Sequence, residues 1–487
     1  MEKTYKGLSP WQLTMMALGT VIGGSFFLGS SVAIEAAGPA VIVSYIIGGI
    51  LVYIILFALS EMTVANPDTG SFRTFATLAF GPGAGFTVGW VYWTGMVLAM
   101  SSEATAVSIL IREWIPKVSI SILGSSIIIG VTLLNLLGAD KLSKIESSLA
   151  AVKLFAIVSF IILAVLLILG LIPGIPGIGA GEIVKEPLLP RGIRGVAGSM
   201  LLVISSYAGF EIIGLAASES DNPRRTVPKA ISYTVISLVG AYIISVVVLL
   251  PLVPTSALNE NISPMVAALN RWGIGWAGTA INFVLITAIL STMLAAMFGL
   301  GRIMRSLASE GHAPKWLRGE RNVPYRGILF SGFAMLLGLW VGLMLPRVYL
   351  FLVSSGGFAL LFTYAVIVAT HIRFRKKYGC PPEGKCQMPG YPITSWLALI
   401  SLVIIIASMP FVPGQASGLI AGVIIVSAYA LLYIAVKIVF INRKNKLFIN
   451  AEDRRGLKAH LSTEFSRELT EDIKKNKQKW YEDKDKH

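Results

Sequence analysis

Charge is scarce in this chain of 487 residues: 14% are Asp, Glu, Lys or Arg, against about 25% in an ordinary soluble domain. Together with an apolar content of 55%, that scarcity excludes a soluble fold. The only cysteines are Cys380 and Cys386, a lone C-x5-C. They are too few for a disulfide scaffold, and a zinc site needs more ligands than one such pair supplies; they read as reduced and structurally neutral. The four histidines stand at positions 312, 371, 460 and 487, none of them firmly in mid-span. No H-E-x-x-H or G-x-S-x-G pattern occurs, so the chain is not read as an enzyme, and no metal or other cofactor is expected. No filter-like repeat or ring of charge marks a channel.

Long apolar runs take the place of charge. Val41 to Leu59, Ala150 to Leu171 and Ser232 to Leu252 approach the roughly 20 residues that cross a hydrocarbon core. Divided at charged or Pro/Gly-rich connections, the chain reads as an all-α polytopic membrane protein of about twelve transmembrane helices. They start near Pro10, Ala40, Ala84, Val118, Glu146, Gly195, Pro228, Ile274, Arg326, Val348, Ile393 and Gly418. The first run lacks an A-x-A-like cleavage site and exceeds the length of a signal-peptide core.

Lys and Arg gather in alternate connections, as the preference for cytoplasmic basic loops demands. Arg73, Lys141, Lys144, Arg302, Arg305 and the run Arg373 to Lys377 fall on one side; Arg112, Lys117, Lys185, Arg271 and Arg347 fall on the other. Both termini are therefore expected in the cytoplasm, with the protein integral to the cell membrane. The net charge of +15 follows from this orientation beside anionic membrane lipids, without a nucleic-acid partner.

Two of the expected spans are poor helices at their centres. The first carries Ile22-Gly23-Gly24-Ser25-Phe26-Phe27-Leu28-Gly29, and the sixth carries Ser205-Ser206-Tyr207-Ala208-Gly209-Phe210-Glu211. Interrupted segments at matching places in two halves point to a substrate site between inverted repeats. A helix broken inside the bilayer leaves peptide groups that something must satisfy. A zwitterion suits them: its carboxylate fits free N–H groups at a helix start and its ammonium fits freed carbonyls. Ile22, Gly23, Gly24, Ser25, Ser205, Ser206, Tyr207, Ala208 and Gly209 are thus the candidate substrate ligands. Close helix packing through glycine is the other reading of either cluster taken alone.

These residues resemble the amino acid-polyamine-organocation transporters, and among them the proton-linked amino acid permeases of bacteria. Gly24-Ser25-Phe26 is similar to the family's G-[ST]-G, with the last glycine replaced by Phe26. Gly209-Phe210-Glu211, then Glu219, Asn222-Pro223-Arg224 and Pro228-Lys229-Ala230-Ile231, look like its span-six signature, and Arg302 to Pro314 is similar to the end of its span eight. The likeness covers about Ser9 to Ile372. It implies ten helices in two inverted repeats, 9–172 and 195–374, followed by two further helices at 391–440. A cytoplasmic N-terminus, 1–8, precedes them and a charged tail, 441–487, follows.

Ionisable groups within spans are functional suspects. Glu103 lies in span three, Lys153 in span five and Glu211 just after the span-six break, while Glu35 sits near a helix end where solvent can reach it. Loss of water favours the neutral form of an amine, so Lys153 is the candidate carrier of a coupling proton; relatives place a span-five lysine where sodium-coupled ones hold the ion. A permanently charged lysine bonded to carbonyls of the break is the alternative. Glu103 either relays the proton or holds span three to a partner; Glu211 is grouped with the coupling residues, although organising the bundle by pairing with a polar or basic neighbour is the favoured reading of it. Ser291 and Thr292 offer the hydroxyls a sodium ion would use. Tyr207, Trp93, Phe26 and Phe298 are candidate gating aromatics, with packing as the other reading. The small residues Ser206, Ala208 and Ser291 favour neutral, modest-sized substrates. The expected activity is proton-coupled uptake of neutral amino acids by alternating access. An exchanger, or a sensor of the same fold that binds amino acid without moving it, shares these features. In the tail, Leu457, Leu461, Phe465 and Leu469 recur at helical spacing, an apolar stripe able to dock on a membrane or on the bundle.

Overall fold

In hydrocarbon an apolar run satisfies its backbone by forming a helix, and helices are the only regular elements longer than one turn among the described residues. The computed structural model describes residues 9–65, 72–211, 213, 223–319, 323–380 and 388–447. Nine helices among these are long and apolar enough to cross a membrane, and Ile120–Asn135 and Gly192–Ser206 are shorter apolar helices.

The chain opens with α1 (Pro10–Val21), whose start is fixed by a capping box in which Ser9 and Gln12 satisfy each other's amides. After Ile22 and Gly23 come a single turn, α2 (Gly24–Phe27), and α3 (Gly29–Ala37). Then follow α4 (Val41–Ala65), α5 (Phe72–Phe80), α6 (Pro82–Ile111), α7 (Ile120–Asn135), α8 (Ala139–Leu169) and α9 (Gly192–Ser206). The second part holds α10 (Pro223–Leu249), α11 (Pro264–Arg271), α12 (Gly275–Ser309), α13 (Tyr325–Leu343), α14 (Val348–Tyr378), α15 (Ile393–Ser408) and α16 (Gln415–Leu447).

Most helices begin within a few residues of the expected starts. The largest departure is α8, which starts at Ala139 rather than Glu146, because a helix continues through polar residues once it has left the apolar layer. Two short helices, α5 and α11, carry no long apolar run and were not expected. Residues Met1–Ala430 form one compact unit and the chain from Leu431 a second, of which the described part completes α16. The apolar stripe at 457–469 lies outside the described residues.

Two buried apolar clusters fill the first unit. The larger joins α1 to α4, α9, α10 and α14, and the smaller joins α6, α7, α12 and α13. Large apolar side chains also cover the outside, including Ile236, Phe333, Phe283 and Ile424. On a soluble protein such a surface would signal aggregation; on a membrane helix it is the face that meets lipid.

One expectation is corrected here. Cys380 is disulfide-bonded, not a reduced thiol. Two cysteines are too few for a scaffold of disulfides but enough for one bond, which a C-x5-C spacing permits; Cys386 lies outside the described residues.

Candidate substrate site

The first span breaks where its glycines stand. Ile22 and Gly23 are extended (φ −71°, ψ 103° and φ −149°, ψ −164°), so the helical ladder stops at Val21 and restarts at Gly24. The interruption exposes carbonyls at the end of α1 and amides at the start of α2, the negative and positive poles of two helix dipoles.

Each pole meets a buried side chain of opposite charge. Lys153, on α8 and fully buried, donates to Gly19 O (2.6 Å) and to Thr292 Oγ1 (2.7 Å). Thr292, on α12, donates in turn to Ile22 O (3.0 Å). At the other pole Glu103, on α6 and buried, accepts from the Gly24 amide (2.7 Å), the Ser25 amide (3.2 Å) and Ser25 Oγ (3.1 Å). A helix start binds anions in this way, and here the anion belongs to the protein. There is no room for larger residues: a Cβ on Gly24 would lie 2.5 Å from Glu103 Oε2, and one on Gly23 3.2 Å from Thr292 Oγ1. The Phe26 N–H is not offered to a ligand, since it donates to Gly23 O inside the α2 turn. Tyr349, on α14, approaches Gly24 O at 3.5 Å.

The second break lies against the first. Helix α9 stops at Ser206, and Gly209 takes φ +104°, a conformation that glycine adopts without strain. A Cβ there would sit 3.2 Å from Thr20 O, and Thr20 Oγ1 reaches Gly209 O at 3.4 Å. Glu211 folds back to accept from the Gly209 amide (3.1 Å), from Tyr92 Oη (2.7 Å) and from Tyr364 Oη (3.3 Å). Ala208, Gly209, Gly19, Thr20 and Ser25 are partly exposed among otherwise buried neighbours. Of the rest of the span-six signature, Glu219 and Asn222 lie outside the described residues, while Pro223-Arg224 and Pro228 to Ile231 belong to α10.

The other candidates point elsewhere. Ser205 packs against α14, where a Cβ on Gly357 would lie 2.7 Å from its hydroxyl, and Ser206 Oγ donates to Val203 O. Tyr207 and Phe26 share a buried box with Tyr45 and Tyr242: Phe26 stacks on Tyr242 (3.7 Å between centroids), and Tyr207 Oη donates to Tyr45 O. Trp93 faces α13, donating to Ser331 and stacking on Phe330, while Phe298 is half-buried beside the smaller cluster. The four aromatics are therefore split between separate places. Glu35 pairs with Arg191 at 3.0 Å near the surface.

Sequence reasoning missed Tyr92, Tyr364 and Tyr349, because a tyrosine in a span carries no mark of the carboxylate or carbonyl it will meet. It also missed Glu61. This carboxylate is fully buried on α4, bonded to His371 Nε2 (2.6 Å) and to the Met388 amide (2.8 Å), with Arg375 3.3 Å away. It stands just past the apolar run Val41 to Leu59, where a carboxylate draws no notice.

The profile of the family described as Amino acid permease matches residues 12–456. The chain belongs to the amino acid permease family. Its members are transporters of the amino acid-polyamine-organocation superfamily, not enzymes. The match runs past Ile372, where the motif resemblance ended, and so takes in α15 and α16. This permease is 32% identical over 433 residues to a gamma-aminobutyric acid permease of Bacillus subtilis (strain 168), covering 87% of this chain and 92% of that one. To a gamma-aminobutyric acid permease of Escherichia coli (strain K12) it is 33% identical over 416 residues, covering 84% and 89%. To an aromatic amino acid transport protein of Escherichia coli O157:H7 it is 30% identical over 421 residues, covering 85% and 92%.

Proposed function

We propose that this permease is a secondary active transporter that takes up neutral amino acids together with a proton by alternating access. In this reading twelve helices cross the cell membrane, the first ten as two inverted repeats of five, and both termini lie in the cytoplasm. One observation carries the proposal: the two poles of the broken first span are held by the protein's own ammonium and carboxylate, the same two charges that an amino acid bears.

A substrate carboxylate has to displace Glu103 from the Gly24 and Ser25 amides. Glu103 lets go when it is protonated, since a neutral carboxyl group is a much weaker acceptor for those amides. The loaded state then contains one added proton, one zwitterion and the Lys153 ammonium. When the proton leaves, the Glu103 carboxylate reclaims the amides and expels the substrate. Lys153 is the second titratable member of the pair: regaining on loading a proton given up in the empty carrier is the other way to bring in the same one proton, and its ammonium then holds Gly19 O. The charged residues buried among the described ones near the breaks are Lys153, Glu103 and Glu211, each already bonded to protein. This offers no spare charge to a substrate side chain and favours a neutral one.

The test is uptake into proteoliposomes. Lys153→Ala is expected to abolish accumulation driven by a pH gradient, and unchanged pH-driven accumulation would refute the coupling role. Competition by twenty amino acids against one labelled substrate defines the class carried.

A further inference from the structure

Beyond the transport path, the last two turns of α14 divide their basic residues between two directions. Arg375 turns inward, 3.3 Å from the buried Glu61. Arg373 and Lys377, one turn apart on the helix, point instead to a cleft between α14 and α5, of about 170 Å³. Its floor is apolar, made by Phe75, Leu78, Ala79 and Phe374, and no acidic side chain lines it. Among the described residues neither cation has a carboxylate within ion-pair distance; Arg373 lies over the Phe80 ring (5.2 Å) and Lys377 over the Tyr378 ring (5.0 Å). Leu78 and Phe80 are 43% and 45% exposed, although the other face of α5, with Phe72, Phe75 and Ala76, is buried.

The cleft therefore straddles a chemical border. The apolar run of α14 ends at Ile372 and the sequence Arg-Phe-Arg-Lys-Lys follows, the change from apolar to basic residues that marks the end of a span on the side of the basic loops. We propose that this cleft binds an anionic phospholipid, its headgroup phosphate against Arg373 and Lys377 and the upper part of one chain on the apolar floor. The volume suits a phosphodiester and a few methylenes, while the rest of the lipid stays in the bilayer. Free phosphate would leave the apolar floor unused, and a zwitterionic lipid lacks the net charge that two cations select.

Native mass spectrometry and thermal unfolding of the full chain in detergent, titrated with phosphatidylglycerol or phosphatidylcholine, test this. The expected result is one tightly retained phosphatidylglycerol and a rise in unfolding temperature that phosphatidylcholine does not give. Arg373→Ala with Lys377→Ala should weaken phosphatidylglycerol binding by about tenfold or more, as expected for two lost basic contacts at an anionic lipid. The charge-matched control, Arg302→Ala with Lys376→Ala, should leave it unchanged. Ala79→Trp fills the cleft without altering charge and should also remove the retained lipid; it decides the matter if the double variant does not fold. Equal retention of both lipids, undiminished binding in the cleft variants, or equal loss in the control overturns the proposal.

Discussion

The two helix breaks lie against each other yet are held by different chemistry. The first is clasped by Lys153, Thr292 and Glu103, from three separate helices, and two of these side chains can change charge. The second is closed on itself: Glu211 returns to the Gly209 amide and is fastened by two tyrosine hydroxyls from α6 and α14. A clasp made of a separate anion and cation can be opened by moving one proton. Glu103 and Glu211 each accept from three donors, at about 1.5–3 kcal/mol per bond to a buried charged group, so what separates the breaks is where the donors lie. Those of Glu103 belong to the broken span itself and include the two amides a substrate carboxylate would take, whereas two of those of Glu211 are tyrosine hydroxyls of other helices. In the proposed mechanism the coupling step falls to the first break, and the second serves as a fixed support.

The strongest way to break this distinction is Lys153→Ala, which should eliminate pH-driven uptake while Glu211→Gln retains it; identical losses in both would erase the difference between the breaks. Glu103→Gln comes next. It imitates the protonated state, so substrate binding and exchange of internal for external amino acid should persist, while accumulation in response to a pH gradient falls at least about tenfold, as expected for a lost 1.4 kcal/mol or more of coupling. Loss of exchange as well would show that Glu103 is needed to shape the site rather than to release it. Gly209→Ala should destabilise the protein by about 1–3 kcal/mol, since φ +104° is strained for any side chain and its Cβ would press on Thr20 O; an unchanged unfolding temperature in detergent would contradict this. The smallest effect belongs to Tyr92→Phe. Removing one of the three donors to Glu211 should cost about 1–2 kcal/mol of stability and leave the pH profile of uptake in place; a shifted profile would move Glu211 into the coupling machinery.

Much of this was legible beforehand, for reasons that differ by residue. The glycines at 23 and 24 pointed to the first break because adjacent glycines weaken a helix and a second weak stretch stands at the matching place in span six; glycine pairs alone do not break one, since Gly48-Gly49 and Gly356-Gly357 lie inside the continuous α4 and α14. Lys153 and Glu103 stood out because charge in an apolar run is rarely tolerated without purpose. Tyr92, Tyr364 and Tyr349 could not be picked out, since an amphipathic ring fits both lipid and protein surroundings. The Phe26–Tyr242 stack was equally hidden, as it joins residues 216 positions apart. Glu61 was overlooked because its partner His371 comes from a distant helix and only their contact makes a buried carboxylate tolerable.

Composition and periodicity alone determined that this is a helical membrane protein, because the bilayer accepts a backbone only when each run satisfies itself. They also marked where the first helix is weakest. What tertiary structure decided is which groups answer the failure. A broken helix exposes a positive and a negative pole whatever the surrounding sequence, but whether a substrate, an ion or the protein's own side chain meets each pole depends on the helices packed beside it. Here α8 delivers an ammonium to one pole and α6 a carboxylate to the other, and no local pattern encodes that pairing.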